Sequence, residues 1–253
     1  MSKPMKAFDI NIFYPAVKPR ISLVERMKKA GDLLSMWSKH DKWMSLEHWL
    51  VATGDEDGSF RYPVFEGVMP GTSALAYYRE FQRNHEPDDP RYLCFWNGQL
   101  ERGGRASYSD EYNHVDGSPE IVCLTVDHME RWQYPSALVD ALKESANLFS
   151  PRAMFVKPAS YTPVFFDKPC VAWMLYLPVQ LSPIQVPEAA RLEPVHDASG
   201  QLLGTIIVSV ADVVFDIGNP AHVRTAHDIE VRLTDQDLLP RYPDLLIGED
   251  AGR

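Results

Sequence analysis

The sequence has few cysteines and no long apolar run. Its three cysteines, Cys94, Cys123 and Cys170, are far apart and form no C-x-x-C pair, so they indicate neither a zinc site nor a disulfide framework. The longest apolar stretches, Val171 to Leu177 and Leu202 to Val208, are far shorter than the ~20 residues that a membrane-spanning helix needs. Since the first residues also do not resemble a signal peptide, we expect a cytoplasmic protein with reduced thiols.

Sequence motifs of catalysis and cofactor binding are absent as well. The chain contains no H-E-x-x-H, no G-x-S-x-G and no G-x-x-x-x-G-K, the patterns of zinc hydrolases, serine hydrolases and phosphate loops. The acidic turn Asp55-Glu56-Asp57-Gly58 lacks the alternating acidic positions and distal glutamate of a calcium loop. We therefore expect no metal, no cofactor and a binding protein rather than an enzyme.

One pair of residues keeps an enzymatic alternative open. Asp127 and His128 directly follow a predicted strand, a position where hydrolases sometimes keep catalytic groups. Neighbouring side chains on an extended segment point apart, so the pair needs a distant carboxylate that converges with it in a pocket. A surface or core role is the alternative explanation for both residues.

The charge of the chain is negative and unevenly distributed. The 253 residues carry a formal net charge of −10, with net +4 over residues 1–52 and net −7 over residues 53–120. Binding to nucleic acid or to an anionic membrane needs clustered lysine and arginine, so neither is expected as a partner. A basic protein would instead be steered toward this surface, although moderate acidity also simply keeps proteins soluble.

Periodicity predicts an α+β fold with a mixed, largely antiparallel sheet and amphipathic helices packed on one side. Ala7 to Tyr14 alternates as a half-buried strand does, and Ser22 with Glu25 forms a capping box that predicts a helix start. Further strands are predicted at Tyr92–Trp96 (closed by the hairpin signal Asn97-Gly98), Ile121–Val126, Val171–Leu177 and Gly204–Val210, and further helices at Thr72–Asn84, Ala137–Phe149 and from the Asn219 cap to Leu233. We expect a long exposed loop, or a loop with a short hairpin, over 103–119, and only short edge strands and loops over the proline-rich residues 151–194.

A single domain over residues 1–253 is expected, with a hint of internal duplication. Leu23 to Ser35 aligns without a gap on Leu138 to Ser150, and five of the thirteen positions are identical. The hypothesis is that residues 1–120 and 121–253 are two related strand–helix–strand halves. The alternative is that two amphipathic helices of similar composition match this well by chance.

Acidic and aromatic residues occur together on predicted loops between residues 53 and 120. Tyrosine offers a large contact area at low entropic cost and is enriched in interface cores, and carboxylates around it would complement a basic groove. The alternative is that acidic turns and tyrosines are common on loops. The expected partner-binding residues are Asp55, Glu56, Asp57, Tyr62, Glu86, Asp88, Asp89, Tyr108, Asp110, Glu111, Tyr112 and Asp116.

The order and spacing of apolar and aromatic positions resemble a known family. The positions that carry the resemblance are Ser22 to Leu50, Gly204 to Val208, Phe215-Asp216, Asn219 to Val223, Ile229 to Leu233 and Leu238 to Pro240. In these segments the chain resembles immunity family fifty-two of the bacterial polymorphic-toxin systems. The resemblance covers most of the chain, but residues 53–120 contribute little to it.

The resemblance implies an immunity protein that neutralises a cognate secreted toxin by protein–protein contact, without chemistry of its own. The toxins beside members of this family carry a restriction-endonuclease-like nuclease domain, and they include a type VI secretion effector of Pseudomonas. A nuclease presents a basic groove to phosphate, which an acidic protein could occupy. A secretion-associated adaptor or chaperone with an extended apolar groove is a third hypothesis, and homodimer formation stays open.

Overall fold

The fold is α+β and is organised around one large antiparallel sheet, which confirms the predicted fold class. The computed structural model describes residues 7–15, 21–83, 91–100, 103–112, 119–127, 132 and 134–246. The strands within these residues are β1 (Phe8–Tyr14), β2 (Leu50–Val51), β3 (Phe65–Glu66), β4 (Met69–Pro70), β5 (Arg91–Trp96), β6 (Arg105–Tyr112), β7 (Glu120–Asp127), β8 (Ala153–Pro158), β9 (Met174–Leu177), β10 (Arg191–His196) and β11 (Leu202–Val208). The α-helices are α1 (Leu23–Trp37), α2 (Glu56–Ser59), α3 (Thr72–Gln82), α4 (Pro135–Phe149) and α5 (Pro220–Asp235), with 3-10 turns at Lys42–Met44, Leu46–His48 and Tyr242–Leu246.

Nine of the strands form one sheet with β1 near its centre. The order is β10-β11-β9-β8-β1-β7-β6-β5-β2, and β3 pairs separately with β4. Strand β1 is antiparallel to both neighbours, so that Ile10 lies opposite Leu124 of β7 and Val156 of β8. All three of these side chains are buried. Among the described residues, no helix is long and apolar enough to cross a membrane.

The helix predictions hold where a cap is visible in the sequence. At the start of α1, the Ser22 hydroxyl accepts from the Glu25 backbone N–H, and the Glu25 carboxylate accepts from the Ser22 N–H at 2.8 Å. The Asn219 side chain caps α5 by accepting from the Ala221 N–H at 3.0 Å. These side-chain bonds satisfy backbone donors that a helix start leaves without partners.

Two loop predictions are wrong. Residues 105–112 form β6 inside the sheet rather than an exposed loop, with Ala106, Tyr108, Asp110 and Tyr112 buried at every second position. Their alternation was hidden because the buried set contains an aspartate and two tyrosines. Strand β8 lies between β1 and β9 rather than at an edge. Pro151 precedes the strand and Pro158 is its last residue, so neither proline interrupts the ladder in the middle of the strand.

The strand–helix units β1–α1 and β7–α4 lie side by side in the fold, but the strands that follow their helices occupy different positions in the sheet. Strands β1 and β7 are antiparallel neighbours, and their helices pack together, with the Trp37 indole N–H donating to the Ala141 carbonyl at 3.3 Å. The strand that follows α1, β2, lies at the sheet edge, whereas the strand that follows α4, β8, lies inside. The hypothesis of two related halves stays a prediction.

A buried ionic cluster fixes α1 to the sheet. Arg26 of α1 donates to the Tyr14 hydroxyl of β1 and to the Glu120 carboxylate of β7. Its guanidinium also lies 3.7 Å from the Asp110 carboxylate of β6, and both side chains are 1% exposed. The Tyr112 ring covers the guanidinium at 4.5 Å. One helix residue therefore joins three strands.

A second buried carboxylate anchors the irregular segment before β9. Glu230 of α5 accepts from the Tyr161 hydroxyl at 2.8 Å and from the backbone N–H groups of Val164 and Val171 at 2.7 and 3.0 Å. Such charge-assisted bonds are stronger than neutral ones. They hold a long stretch without regular secondary structure against α5.

The buried Asp110 makes the stability of the fold depend on pH. Burial raises the pKa of the Asp110 carboxyl to about 6. The Glu120 carboxylate raises this pKa further, whereas the Arg26 guanidinium lowers it. A raised folded-state pKa stabilises the fold below the unfolded value near 4, and this contribution is lost as the pH rises through about 6. We expect the unfolding free energy of the wild type, relative to Asp110→Asn, to fall by roughly 2–3 kcal/mol between pH 4 and pH 7.

Urea denaturation of both proteins across this range measures the difference. The difference between the two proteins removes the contribution of the other titrating groups, which they share. A difference that stays constant with pH would show that Asp110 does not titrate in this window.

Candidate functional site

Three of the residues predicted to bind a partner lie in the core. Tyr108, Asp110 and Tyr112 are each 1% exposed and face α1, so their prediction as loop residues is wrong. The Tyr108 hydroxyl donates to the Asp110 carboxylate at 3.4 Å, and Gln82 of α3 donates to the Tyr112 hydroxyl at 3.2 Å. These side chains belong to the cluster around Arg26, and no partner can reach them without opening the fold.

The other predicted residues divide into an accessible set and a set that the structure does not describe. Asp55, Glu56 and Asp57 are exposed at the start of α2, where the Asp55 carboxylate accepts from the Gly58 N–H at 3.0 Å. Tyr62 is half-buried against Tyr77, with ring centroids 5.2 Å apart. Glu111 is half-buried and accepts from the Tyr92 hydroxyl at 3.1 Å. Glu86, Asp88, Asp89, Asp116 and His128 lie outside the described residues.

One face of the sheet between β5 and β8 is only partly covered. The register places Trp96, Ser107, Thr125, Asp9 and Lys157 in one cross-strand row. All five side chains are exposed or half-buried, whereas the opposite face of the same strands is packed beneath α1 and α4. We call this surface the open face; its other described members include Tyr92, Cys94, Arg105, Ser109, Glu111, Cys123 and Asp127.

A cleft lies at the end of the open face where β6 starts. Its volume is about 380 Å³, and we call it the Trp96 cleft. A neighbouring cleft of about 240 Å³ shares Glu56 and Trp96 with it and adds Asp55. Phe60, 51% exposed, meets the Trp96 ring edge to face at 5.8 Å. Residues that line the Trp96 cleft include Glu56, Trp96, Gln99, Leu100, Arg105 and Asp127.

The wall of the cleft is fixed by Asn97. The predicted hairpin signal Asn97-Gly98 does not form a two-residue turn, because β5 and β6 are joined by residues 97–104. The buried Asn97 amide donates to the Trp43 and Gly104 carbonyls at 3.1 and 2.6 Å, and its oxygen accepts from the Ala106 N–H at 2.9 Å. Gly104 has φ +81, and an added Cβ would lie 2.5 Å from Trp43. Asparagine and glycine are therefore needed to close this connection.

Arg105 stabilises the same connection from the outside. Its Nε–H donates to the Gln99 carbonyl at 3.1 Å, and a second guanidinium N–H donates to the Leu100 carbonyl. Arginine can make both bonds at once because its donors form a planar fork. The cleft is thus preformed rather than assembled on binding.

The two cysteines of the open face are not activated as nucleophiles. Burial raises the pKa of the Cys94 thiol, and burial together with the Asp9 carboxylate raises the pKa of Cys123 to about 11. A nucleophilic cysteine needs the opposite, a lowered pKa. Among the described residues, no group of three or more histidine, cysteine, aspartate or glutamate side chains could hold a metal ion.

Comparison with known proteins gives a weak structural likeness. Neither the family models nor the curated proteins match this sequence. A solved structure titled "Pseudomonas aeruginosa T6SS protein PA0821" is 12% identical, with 90% of this chain and 74% of that chain covered and a TM-score of 0.47. A likeness of this size assigns no function.

The sequence reasoning missed Trp96 as the centre of the cleft. It treated Trp96 only as the last residue of a strand, although the residue directly precedes Asn97-Gly98. A large aromatic residue directly before a turn signal can indicate that its ring lines a cleft at the end of the strand. The cross-strand row on β6, β7 and β1 could not be found, because it depends on a register that the sequence does not specify.

The raised pKa of Cys123 predicts slow alkylation of the native protein. At pH 8 a thiol with a pKa of about 11 is ionised to roughly 0.1%, compared with about a quarter for an ordinary cysteine. The higher nucleophilicity of its thiolate offsets part of this difference. We expect iodoacetamide to modify Cys123 at least about tenfold more slowly than free cysteine, as followed by peptide mass spectrometry. Alkylation as fast as that of free cysteine would contradict the assignment.

Proposed function

We propose that this protein is an immunity protein, which binds and neutralises a cognate secreted toxin through the open face and the Trp96 cleft. The class of toxin follows from the family resemblance: a nuclease effector of a type VI secretion system. The observation that carries the proposal is the open face itself. Covered on one side by α1 and α4, the sheet leaves aromatic side chains and carboxylates accessible around a preformed cleft.

The arrangement around the cleft is that of a protein-binding hot spot. Phe60 and Leu100 are 51% and 47% exposed and lie beside Trp96. Polar and charged groups at the rim, Asp55 and Glu56 among them, surround this apolar centre. Binding energy concentrates on aromatic anchors enclosed by a polar rim. Because Asn97 and Arg105 hold the wall in place, little ordering entropy opposes binding.

Electrostatics favours a basic partner for this surface. The chain carries a net charge of −10, and the cleft with its neighbour brings Asp55, Glu56 and Asp127 to one end of the open face. A nuclease must expose lysine and arginine to bind phosphate. Opposite surface charges speed encounter between proteins and fix their orientation, so a nuclease groove or its rim would approach this face first.

A hydrolase remains the second candidate because Asp127 and Glu56 line the same cleft. The hydrolase hypothesis needs Asp127 to converge with a distant carboxylate, and Glu56 is such a carboxylate. It also needs His128, which lies outside the described residues. The two candidates differ in what they require: an immunity protein needs the shape and charge of the cleft, whereas a hydrolase needs the ionised Asp127 carboxylate.

Protection from a co-expressed toxin tests the proposal. A candidate toxin is taken from the genes adjacent to the one for this chain and is expressed in cells that also carry either the wild type or a variant. We expect the wild type to restore growth and Phe60→Ala to weaken toxin binding by about 5- to 30-fold, the effect of removing an aromatic anchor. Phe166→Ala is the matched control, because Phe166 is a 78% exposed phenylalanine outside the lining of both clefts, whereas Phe60 packs against the Trp96 ring that lines them.

Three outcomes are informative. Failure of the wild type to protect cells from the neighbouring toxin would contradict the immunity proposal. Equal loss of affinity in both phenylalanine variants would place the contact elsewhere. Loss of protection in Asp127→Asn, with unchanged toxin binding, would favour the hydrolase, since this substitution keeps the shape of the side chain and removes its charge.

A further inference from the structure

We propose that the Trp96 cleft binds an arginine side chain presented by the partner protein. This inference rests on the proposed function and deepens it, because it names the chemical group that enters the site. The occupant is a guanidinium rather than an apolar side chain or an anion.

The aromatic wall suits a flat cation. Trp96 lines both the larger and the smaller cleft, and Phe60 meets it edge to face at an interplanar angle of 74°. Among aromatic side chains, tryptophan binds cations best over its ring face. Arginine stacks on such a face with its planar guanidinium and gives up hydration more easily than lysine does.

Two carboxylates flank this wall. Glu56 lines both clefts and is exposed at the first residue of α2, and Asp127 ends β7 on the far side of β6 from Trp96. The hydroxyls of Ser107 and Thr125 lie in the same cleft. A guanidinium has five donors and no acceptor, so carboxylate and hydroxyl oxygens are suitable partners.

Arg105 is the one cation among the described residues that line the cleft, and its contacts explain why it does not favour an anion. Two of its N–H groups are already directed at the backbone carbonyls of Gln99 and Leu100, and in the register of the sheet it lies opposite Asp127. An anion would have to compete with these bonds and would be repelled by the Glu56 carboxylate. With two carboxylates against one cation, the described lining of the cleft has a net negative charge.

The cleft is large enough to admit one side chain. Its volume of about 380 Å³ lies at the low end of the ~300–1,000 Å³ range of ligand pockets. Its connection to the smaller cleft through Glu56 and Trp96 leaves a path for the peptide that carries the arginine. A nuclease toxin has such arginines at its phosphate-binding groove.

A small probe tests the cleft without any toxin. The ¹⁵N-labelled full-length protein is titrated with N-acetyl-arginine amide and, separately, with the citrulline analogue, which has nearly the same shape and no charge. The readout is the Trp96 indole N–H resonance, identified with a Trp96→Phe variant. We expect saturable shifts with a dissociation constant in the millimolar range for the arginine compound, and at least fivefold weaker binding of the citrulline compound.

Two isosteric variants separate specific binding from general attraction to an acidic protein. Glu56→Gln should weaken binding of the arginine probe at least threefold. Asp32→Asn removes the same charge from an exposed position on α1, beyond the covered face of the sheet, and should leave the affinity unchanged. Both variants keep side-chain volume, and their unchanged spectra away from the cleft confirm that they fold.

The inference is overturned if the Trp96 resonance does not shift, if citrulline binds equally well, or if both variants lose affinity to the same extent. Because the probe contains no toxin, these results are independent of the protection assay. Failure of the toxin to be neutralised, with specific arginine binding intact, would contradict the proposed function alone. Neutralisation of the toxin without arginine binding would contradict this inference alone.

Discussion

The contact on which the structure depends is the buried guanidinium of Arg26. It joins α1 to Tyr14 of β1 and Glu120 of β7, and it lies beside Asp110 of β6. Removing a partner from a buried ionic cluster leaves an uncompensated charge and is strongly destabilising. The cluster therefore fixes which face of these three strands is covered by α1, and consequently which face is left open.

Strand β6 contributes side chains both to the buried cluster around Arg26 and to the open face. Its even-numbered residues Tyr108 and Asp110 belong to the buried cluster, whereas the odd-numbered Ser107 and Glu111 lie on the open face. A strand sends alternate side chains to opposite sides, so a shift of register by one residue would bury one set and expose the other. The polar core is thus linked to the open face through the pleat of the same strands.

The sequence predicts the elements with local signals and misses those without. The capping residues Ser22 and Asn219 mark the starts of α1 and α5 because their side chains bond within their own helix turn. Asp110 resembled a loop residue, since its partners Arg26 and Tyr14, which make its burial tolerable, are distant in sequence. The acidic residues Asp55 and Glu56 were predicted to bind a partner, and they line clefts. Trp96 was missed because Glu56 and Phe60, which lie beside it, are distant in sequence.

Hydrogen exchange of the complex with the proposed toxin partner tests the central proposal, that the partner covers the open face. In the described part of the connection between β5 and β6 (97–100, 103 and 104), the Asn97 N–H bonds to the Ala106 carbonyl and the other amides lie outside the ladder of the sheet. Most of these amides should therefore exchange readily in the free protein. The account predicts that the toxin slows exchange over residues 97–104 and over α2, with no change in α1. Slower exchange confined to α1 and α4, with 97–104 unchanged, would contradict it.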